Sequence, residues 1–181
     1  MGAGLMARPT KVLILECIPH CHGRDEGLVL YHFLRMKMPN SVSYKVLKGK
    51  KDLIRILERK APEYRMVHFS SHGHKEGYFS LVKGFLSADE FPEGCFHGSE
   101  VTFSSCEVGR SGFMDKLREQ TGMSKAIAPL NDVIYIDAAM FYIHYYYFRC
   151  HKRYTALNSF HRTDDKLGDK MKGGFRFFEY V

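Results

Sequence analysis

The sequence predicts an α/β fold with a mainly parallel central sheet of about six strands, helices on both faces and a small β-hairpin insertion. Short apolar, β-branched runs alternate along the chain with amphipathic helical patterns, which is typical of strand–helix–strand units. The length of 181 residues and the hydrophobic fraction of 45% fit one globular core. We therefore expect a flexible N-terminus over residues 1–10 and a single domain over residues 11–181.

Each predicted element follows from its own residue pattern. The strand runs are apolar and cover residues 11–18, 42–47, 65–71, 100–105, 125–130 and 175–181. The helical patterns cover residues 26–38, 51–60, 112–120, 136–150 and 154–171. Residues 78–82 and 85–86 form the predicted hairpin, and a turn or short helix follows at residues 87–91. The aromatic-rich helix over 136–150 is apolar on more than one face, so we expect it to pack on several sides or to form an oligomer contact.

Charge and composition restrict the function classes. The formal net charge of +7 favours an acidic partner, although solubility is the simpler interpretation, and no nucleic-acid-binding motif accompanies the basic residues. No apolar run approaches the roughly 20 residues of a membrane span. The first ten residues lack the apolar core of a signal peptide, so we expect a cytoplasmic protein. The five scattered cysteines predict free thiols rather than a disulfide framework.

Two of the predicted strands run directly into reactive residues. His72 and Gly73 follow the run over 65–71, and Cys106 follows the run over 100–105. If these strands are parallel neighbours, both side chains emerge at the same sheet edge, where α/β folds bind ligands. A cysteine is a good nucleophile only as a thiolate, so a nearby histidine or the amides of the following helix would activate it. A buried core thiol is the competing interpretation for Cys106, and His68, inside its strand, is expected to be structural.

The two motifs also carry a family resemblance. Segment 67–73 reads Val-His-Phe-Ser-Ser-His-Gly, and segment 103–109 reads Phe-Ser-Ser-Cys-Glu-Val-Gly. This pair resembles the caspase-like cysteine peptidases, above all their bacterial CHAT branch, whose cysteine strand typically reads Ser-Ala-Cys-Glu-Thr-Gly. Residues 136–139 and the aromatic helix resemble the same branch. The resemblance implies a caspase-like three-layer α/β/α sandwich, with Cys106 as nucleophile and His72 as general acid/base. The amides of Gly73 and Cys106 would form the oxyanion hole.

The resemblance further implies a cysteine endopeptidase that cleaves a protein or peptide through an acyl-enzyme and needs no cofactor or metal. The chain departs from the family in lacking the Gln-Ala-Cys-Arg-Gly string of caspases, any tryptophan and a long prodomain. Proteolytic self-activation is therefore not expected. We expect control by a protein partner or ligand, in a bacterial defence or signalling setting, with the chain intact while active.

The substrate pocket of this family lies on loops after the first, fourth and fifth strands. In this chain those loops offer Arg24, Asp25, Ser104, Asn131 and Asp132. An arginine in the pocket would favour an acidic residue before the cut, and an aspartate would favour a basic one. Because two acids compete with one base, a basic residue is slightly favoured.

Three other interpretations remain open on the sequence. A zinc-dependent hydrolase would use His72 and His74, although the usual aspartate and third histidine of such motifs are missing. A second zinc site would draw its ligands from the cluster of Cys17, His20, Cys21 and His22. A non-catalytic caspase-like binding module would use the basic surface and the aromatic helix, with an inactive dyad.

Overall fold

The computed structural model describes residues 10–18, 25–74, 79–81, 84–171 and 173–180, so residues 1–9 of the predicted flexible N-terminus lie outside the described residues. The strands are β1 (Val12–Glu16), β2 (Val42–Val46), β3 (Met66–Ser70), β4 (His72–Gly73), β5 (Phe79–Ser80), β6 (Phe85–Leu86), β7 (Glu100–Phe103), β8 (Lys125–Pro129) and β9 (Phe175–Glu179). The helices are α1 (Glu26–Arg35), α2 (Lys50–Arg59), α3 (Ser111–Thr121), α4 (Tyr135–Tyr146) and α5 (Ala156–Leu167).

The central sheet has six strands in the order β2-β1-β3-β7-β8-β9. All neighbouring pairs are parallel except β8 and β9, which pair antiparallel. The predicted fold class, a mainly parallel sheet of about six strands, is therefore confirmed. The carboxyl ends of β3 and β7 lie next to each other in the middle of the sheet.

Helices cover both faces of this sheet and make three layers. One buried cluster includes Leu57 of α2 and Leu117 of α3, and the other includes Leu30 of α1, Phe141 of α4 and Phe160 of α5. Successive residues of a strand point to opposite faces, so the strands contribute to both clusters. This explains why the strands read as continuous apolar runs rather than as an alternation.

The predicted hairpin is present as β5 and β6, and it belongs to a second, smaller sheet. β4 pairs antiparallel with β5, which pairs antiparallel with β6. His72 and Gly73, which the sequence places simply after a strand, therefore form a short strand of their own. The register aligns His72 with Ser80, and Ser80 with Phe85.

The aromatic helix differs from the prediction at its end. The α-helix stops at Tyr146, and Tyr147–His151 form a π-helical turn instead of continuing the α-helix to residue 150. Its tyrosines pack against the sheet with their hydroxyls satisfied: Tyr142 donates to the Phe103 carbonyl at 2.6 Å, and the Tyr146 hydroxyl lies 2.8 Å from the Thr102 hydroxyl. Thus this aromatic-rich segment can be buried because the hydroxyls of its buried tyrosines, Tyr142, Tyr145 and Tyr146, meet residues of β7.

Candidate active site

The register of β3 and β7 brings the two sequence motifs together. Met66 pairs with Glu100 and Phe69 with Phe103, an offset of 34 positions. The same offset separates His72 from Cys106. The pairing continues past the strands, because the Ser104 amide donates to the Phe69 carbonyl at 2.9 Å.

The residues immediately before the dyad join the two strand ends. The hydroxyls of Ser71 and Ser105, which are 1% and 0% exposed, hydrogen-bond to each other. Each serine immediately precedes one member of the dyad. The buried hydrogen bond therefore fixes the relative position of the two backbone segments that carry His72 and Cys106. Ser71 and Ser105 therefore link the two strand ends.

Gly73 is required by the close approach of the two motifs. A side-chain Cβ at this position would lie 1.7 Å from the carbonyl oxygen and 2.8 Å from the amide nitrogen of Cys106. Those distances are far below any real contact, so only glycine fits. The predicted oxyanion-hole pair, the amides of Gly73 and Cys106, therefore belongs to two backbone segments in direct contact.

The chain turns sharply after the cysteine. Glu107 has a φ of 58°, which is unusual for a residue with a side chain, and its amide donates to the Asn131 carbonyl at 3.2 Å. A Cβ on Gly109 would lie 2.7 Å from the Pro129 carbonyl oxygen, whose hydrogen bond with the Gly109 amide is 2.8 Å long. The turn thus packs against the carboxyl end of β8 and holds Cys106 at the sheet edge.

The Cys106 thiol is half-buried and lies against the segment that follows β8. Its Sγ is 3.4 Å from the amide nitrogen and 3.5 Å from the carbonyl oxygen of Val133. Desolvation by burial raises the pKa of the Cys106 thiol, the Val133 amide lowers it, and the negative charge of Asp132 raises it further. Burial therefore disfavours the thiolate of Cys106, and α3, whose amides were expected to help stabilise it, begins only at Ser111.

His72 is half-buried and is held by a tyrosine from α4. Its Nδ1 lies 2.9 Å from the Tyr135 hydroxyl, and its Nε2 lies 3.3 Å from the same oxygen. The two rings meet edge to face, at 86° with centroids 5.8 Å apart. Tyr135 therefore restricts the orientation of the imidazole, as a neighbouring hydroxyl does for catalytic histidines.

A buried polar network lies beneath this site, around His68. The His68 ring is 0% exposed, with Nδ1 2.8 Å from the Thr102 hydroxyl and Nε2 3.2 Å from a Glu26 carboxylate oxygen. The Ser104 hydroxyl lies 3.0 Å from the same Nε2. Ser104, predicted to contact substrate, is 3% exposed and belongs to this network. The structural role expected for His68 agrees with these contacts.

The other predicted substrate residues fall at different places. Asn131 and Asp132 are exposed on the segment beside Cys106. Asp25 precedes α1. Burial is the main reason why the pKa of the Tyr44 hydroxyl on β2 is raised, and the charge of Asp25 adds to it, which puts Asp25 toward the β2 side of the sheet. Arg24 lies outside the described residues.

The metal interpretations find little in the described part of the chain. No group of three or more histidine, cysteine, aspartate or glutamate residues there is arranged to hold a metal ion. His74 is described, but residues 75–77 after it, and His20, Cys21 and His22 of the second cluster, lie outside the described residues. Cys17 itself is buried, at 2% exposure, and burial raises its pKa well above the ordinary value.

Sequence reasoning missed the contribution of residues 133–136. Val133 is 7% exposed and contacts Cys106, while Tyr135 reaches His72; the residues beside them, Ile134 and Ile136, are 56% and 66% exposed. In the sequence these residues are simply apolar residues at the start of the aromatic helix, and nothing in the pattern indicates which of them point inward. The loop after β8 and the first residue of α4 therefore contact Cys106 and His72, respectively.

An exposed phenylalanine flanks the site on the other side. Phe85 is 62% exposed, and the register of the small sheet aligns it with His72 across β5. Directly opposed residues share a face, so Phe85 and His72 are on the same face, two strands or about 9.5 Å apart. Large apolar side chains thus stand on both flanks of the dyad.

Comparison with known proteins adds no relatives. No protein-family model matches this chain, and no curated protein matches it. Across the described residues, no helix is both long and apolar enough to cross a membrane. The likeness to caspase-like peptidases consequently rests on the two short motifs.

Proposed function

We propose that this protein is a caspase-like cysteine endopeptidase with a His72/Cys106 dyad. The observation that carries the proposal is the 34-residue register of β3 and β7, which equals the separation of the two residues. The tight contact of Gly73 with the Cys106 backbone supports the predicted oxyanion hole.

The proposed reaction is acyl transfer. His72 takes the proton of the Cys106 thiol, and the sulfur attacks the carbonyl carbon of the scissile peptide bond. The two amides of the oxyanion hole stabilise the negative oxygen that forms. His72 then protonates the leaving amine, which leaves a thioester. Water, deprotonated by His72, hydrolyses the thioester and releases the acid product and the free thiol.

Asp132 is the centre of the proposed specificity because it is exposed beside Cys106, where its charge adds to the burial that raises the pKa of the thiol. The Asp132 carboxylate opposes ionisation of the cysteine. A lysine or arginine before the scissile bond would pair with this exposed carboxylate and remove its repulsion. A basic substrate residue would therefore both bind and ease formation of the thiolate. Phe85, Ile134 and Ile136 favour large apolar residues next to it.

A panel of fluorogenic peptides that differ only in the residue before the cut tests this proposal. We expect cleavage after lysine and arginine at least ten times faster than after aspartate, and none by Cys106→Ala protein. Asp132→Asn should reduce the preference for basic residues, whereas Asn131→Ala, a neighbouring exposed position, should keep it. Preference for an acidic residue would contradict the specificity, and cleavage that survives Cys106→Ala would contradict the mechanism.

The raised pKa of the Cys106 thiol is the one observation that favours a non-catalytic binding module instead. A cysteine whose pKa is raised by burial and by Asp132 is a poor nucleophile without help. That candidate predicts a folded protein that cleaves no peptide. It also predicts that Cys106 reacts with peptide electrophiles at the same rate in the wild type and in the His72→Ala variant.

A further inference from the structure

A groove runs between α1 and α4 on the outer surface of the molecule. It consists of two hollows of about 290 Å³ and about 310 Å³, which both contact Phe33 and Tyr147. We call this the α1/α4 groove; its other lining residues are Leu34, Met36, Lys37, Tyr146, Cys150 and His151 in the first hollow and Ile143, His144, Phe148 and Lys166 in the second. An apolar cavity of about 150 Å³ already holds benzene, so each hollow has room for one bulky apolar group.

The groove exposes apolar surface to water. Met36 is 78% exposed, and Phe33, Ile143 and Tyr147 are half-buried along its length. Exposed apolar surface that lies in one contiguous strip, rather than scattered singly, marks an interaction site. Its position on two packed helices makes it a long, shallow channel rather than a closed pocket for a small molecule.

Acidic residues are few along the groove; α5 carries one exposed acid, Asp165, next to Lys166 of the second hollow. The sequence has no aspartate or glutamate from residue 27 to residue 51, and none from residue 138 to residue 163. Basic side chains stand at the rim instead: Lys37 and His151 at the first hollow and Lys166 at the second. Lys152 lies 5.5 Å above the Tyr147 ring. The channel is thus apolar along its floor, with a lysine at the edge of each hollow and one exposed acid, Asp165, at the edge of the second.

The π-helical turn coincides with this surface. Tyr147 and His151, the first and last residues of the turn, both line the first hollow. π-turns are rare and occur frequently at functional sites. The helical segment therefore departs from the regular α-helix at one wall of the groove.

We propose that the α1/α4 groove binds an acidic amphipathic helix of a partner protein. The two sets of lining residues on α4 and its π-turn are displaced by three positions (146 − 143), or about 4.5 Å at the rise of an α-helix. Apolar residues at positions i and i+3 or i+4 of a partner helix have the same spacing, and flanking glutamates would meet the basic rim. A second copy of this chain would bring one basic rim against another. A membrane offers a flat surface rather than two side-chain-sized hollows.

This proposal stands apart from the proposed peptidase activity, and its test uses binding alone. The probe is a fluorescein-labelled helical peptide with leucines at i, i+3, i+4 and i+7 and glutamates elsewhere; a second peptide replaces every glutamate with lysine. Fluorescence anisotropy with the full chain should show binding of the acidic peptide at least ten times tighter than that of the lysine peptide. Binding should weaken as salt rises, because screening reduces attraction between exposed charges.

Three variants sharpen the test. Met36→Glu and Lys37→Glu alter exposed positions of the groove, so folding is retained, and each should weaken binding of the acidic peptide at least fivefold. Val46→Glu changes an exposed apolar residue on β2 that lines neither hollow, and should leave binding unchanged. Failure of the acidic peptide to bind, or equal loss with Val46→Glu, overturns the proposal. The protein could instead fail to bind the peptide but co-sediment with phosphatidylserine vesicles. If Met36→Glu abolished that co-sedimentation, the surface would be a membrane contact and the proposal would be overturned.

Discussion

Two histidines four positions apart, His68 and His72, have opposite environments. His68 is 0% exposed and is surrounded by Thr102, Glu26 and Ser104. His72 is half-buried at the sheet edge and meets the hydroxyl of Tyr135. The short stretch of chain between the two rings runs from the sheet interior to the carboxyl edge.

The difference shows how one strand can serve stability and chemistry at once. A ring whose nitrogens are both held by buried partners has no room for substrate, and removing it leaves those partners unsatisfied. A ring at the edge keeps access to solvent and ligand, and its removal costs few packing contacts. Replacing each histidine should therefore affect a different property, and four substitutions test that separation.

The largest expected effect is that of His72→Ala on peptide cleavage. Loss of the general acid/base should lower kcat/KM by about 10²- to 10⁴-fold. The free energy of unfolding should change by less than about 1 kcal/mol, because the ring is half-buried. Steady-state kinetics and urea unfolding measure the two quantities. His74→Ala is the matched control and should keep activity; equal losses for both variants would contradict the dyad and favour the His72/His74 zinc interpretation.

His68→Leu should do the reverse and lower the free energy of unfolding by about 3 kcal/mol. The leucine leaves the carboxylate of Glu26, which is 3% exposed, without its histidine partner. Urea unfolding measures the loss. The double variant His68→Leu/Glu26→Leu should be less destabilised than the single one, since it removes the unpaired carboxylate as well. A loss below about 1 kcal/mol for the single variant would show that the network is not needed for stability.

A carboxyl group beside this network should make stability depend on pH. Desolvation by burial is the main reason why the pKa of Glu16 is raised to about 8, and its oxygen accepts the Gly27 amide at 3.0 Å. The folded chain keeps a proton that the unfolded chain releases above about pH 4.5, so the contribution of Glu16 to stability is fully present below that pH and is lost as the pH rises toward 8. A pKa difference of one between the folded and unfolded chains corresponds to about 1.4 kcal/mol, so even half of the Glu16 difference gives a loss of about 2 kcal/mol.

Glu16→Gln, which cannot ionise, should remove most of this slope. Urea unfolding at a series of pH values measures it, and Glu63→Gln, at an exposed carboxyl, should leave the slope as it is. A wild-type stability that rises between pH 5 and pH 8 would contradict the assignment of Glu16 as the dominant titrating group.

The smallest effect is expected from Tyr135→Phe. The change removes the hydroxyl 2.9 Å from His72 Nδ1 but keeps the ring. The lost hydrogen bond contributes about 1 kcal/mol to holding the imidazole in its orientation, so kcat should fall about fivefold. KM should stay unchanged, because the tyrosine contacts the histidine rather than the substrate. Tyr147→Phe, on the π-turn of the same helical segment, serves as the control. A rise in KM without loss of kcat would assign Tyr135 to substrate binding.

The fold and the pairing of the two motifs could be predicted because they depend on local patterns. Apolar runs bounded by glycine and proline mark the order of strands, and the 34-residue spacing of the motifs matches the register of β3 and β7. The partners could not be predicted, because Glu26 reaches His68 across 42 positions and Tyr135 reaches His72 across 63. Those contacts depend on how α1 and α4 are rotated on the sheet, which periodicity does not determine.

The direction of the pKa shift of the Cys106 thiol could not be predicted from the sequence either. A cysteine at a strand end suggests either a nucleophile or a core residue, and the answer depends on burial and on charges from other segments. Here Asp132 and the Val133 amide come from the loop after β8, 26 and 27 positions away (132 − 106 and 133 − 106). The π-turn over Tyr147–His151 is likewise not marked in the sequence, since it contains neither glycine nor proline.

Covalent labelling with a lysine-bearing peptidyl acyloxymethyl ketone tests the central claim most directly. Mass spectrometry should find the label on Cys106 in preference to Cys95 and Cys150, whose pKa values burial raises to about 12. His72→Ala should abolish the labelling, and His68→Leu should keep it wherever the protein remains folded. Labelling of Cys106 at an equal rate in His72→Ala, or labelling of another cysteine instead, would contradict the proposed dyad.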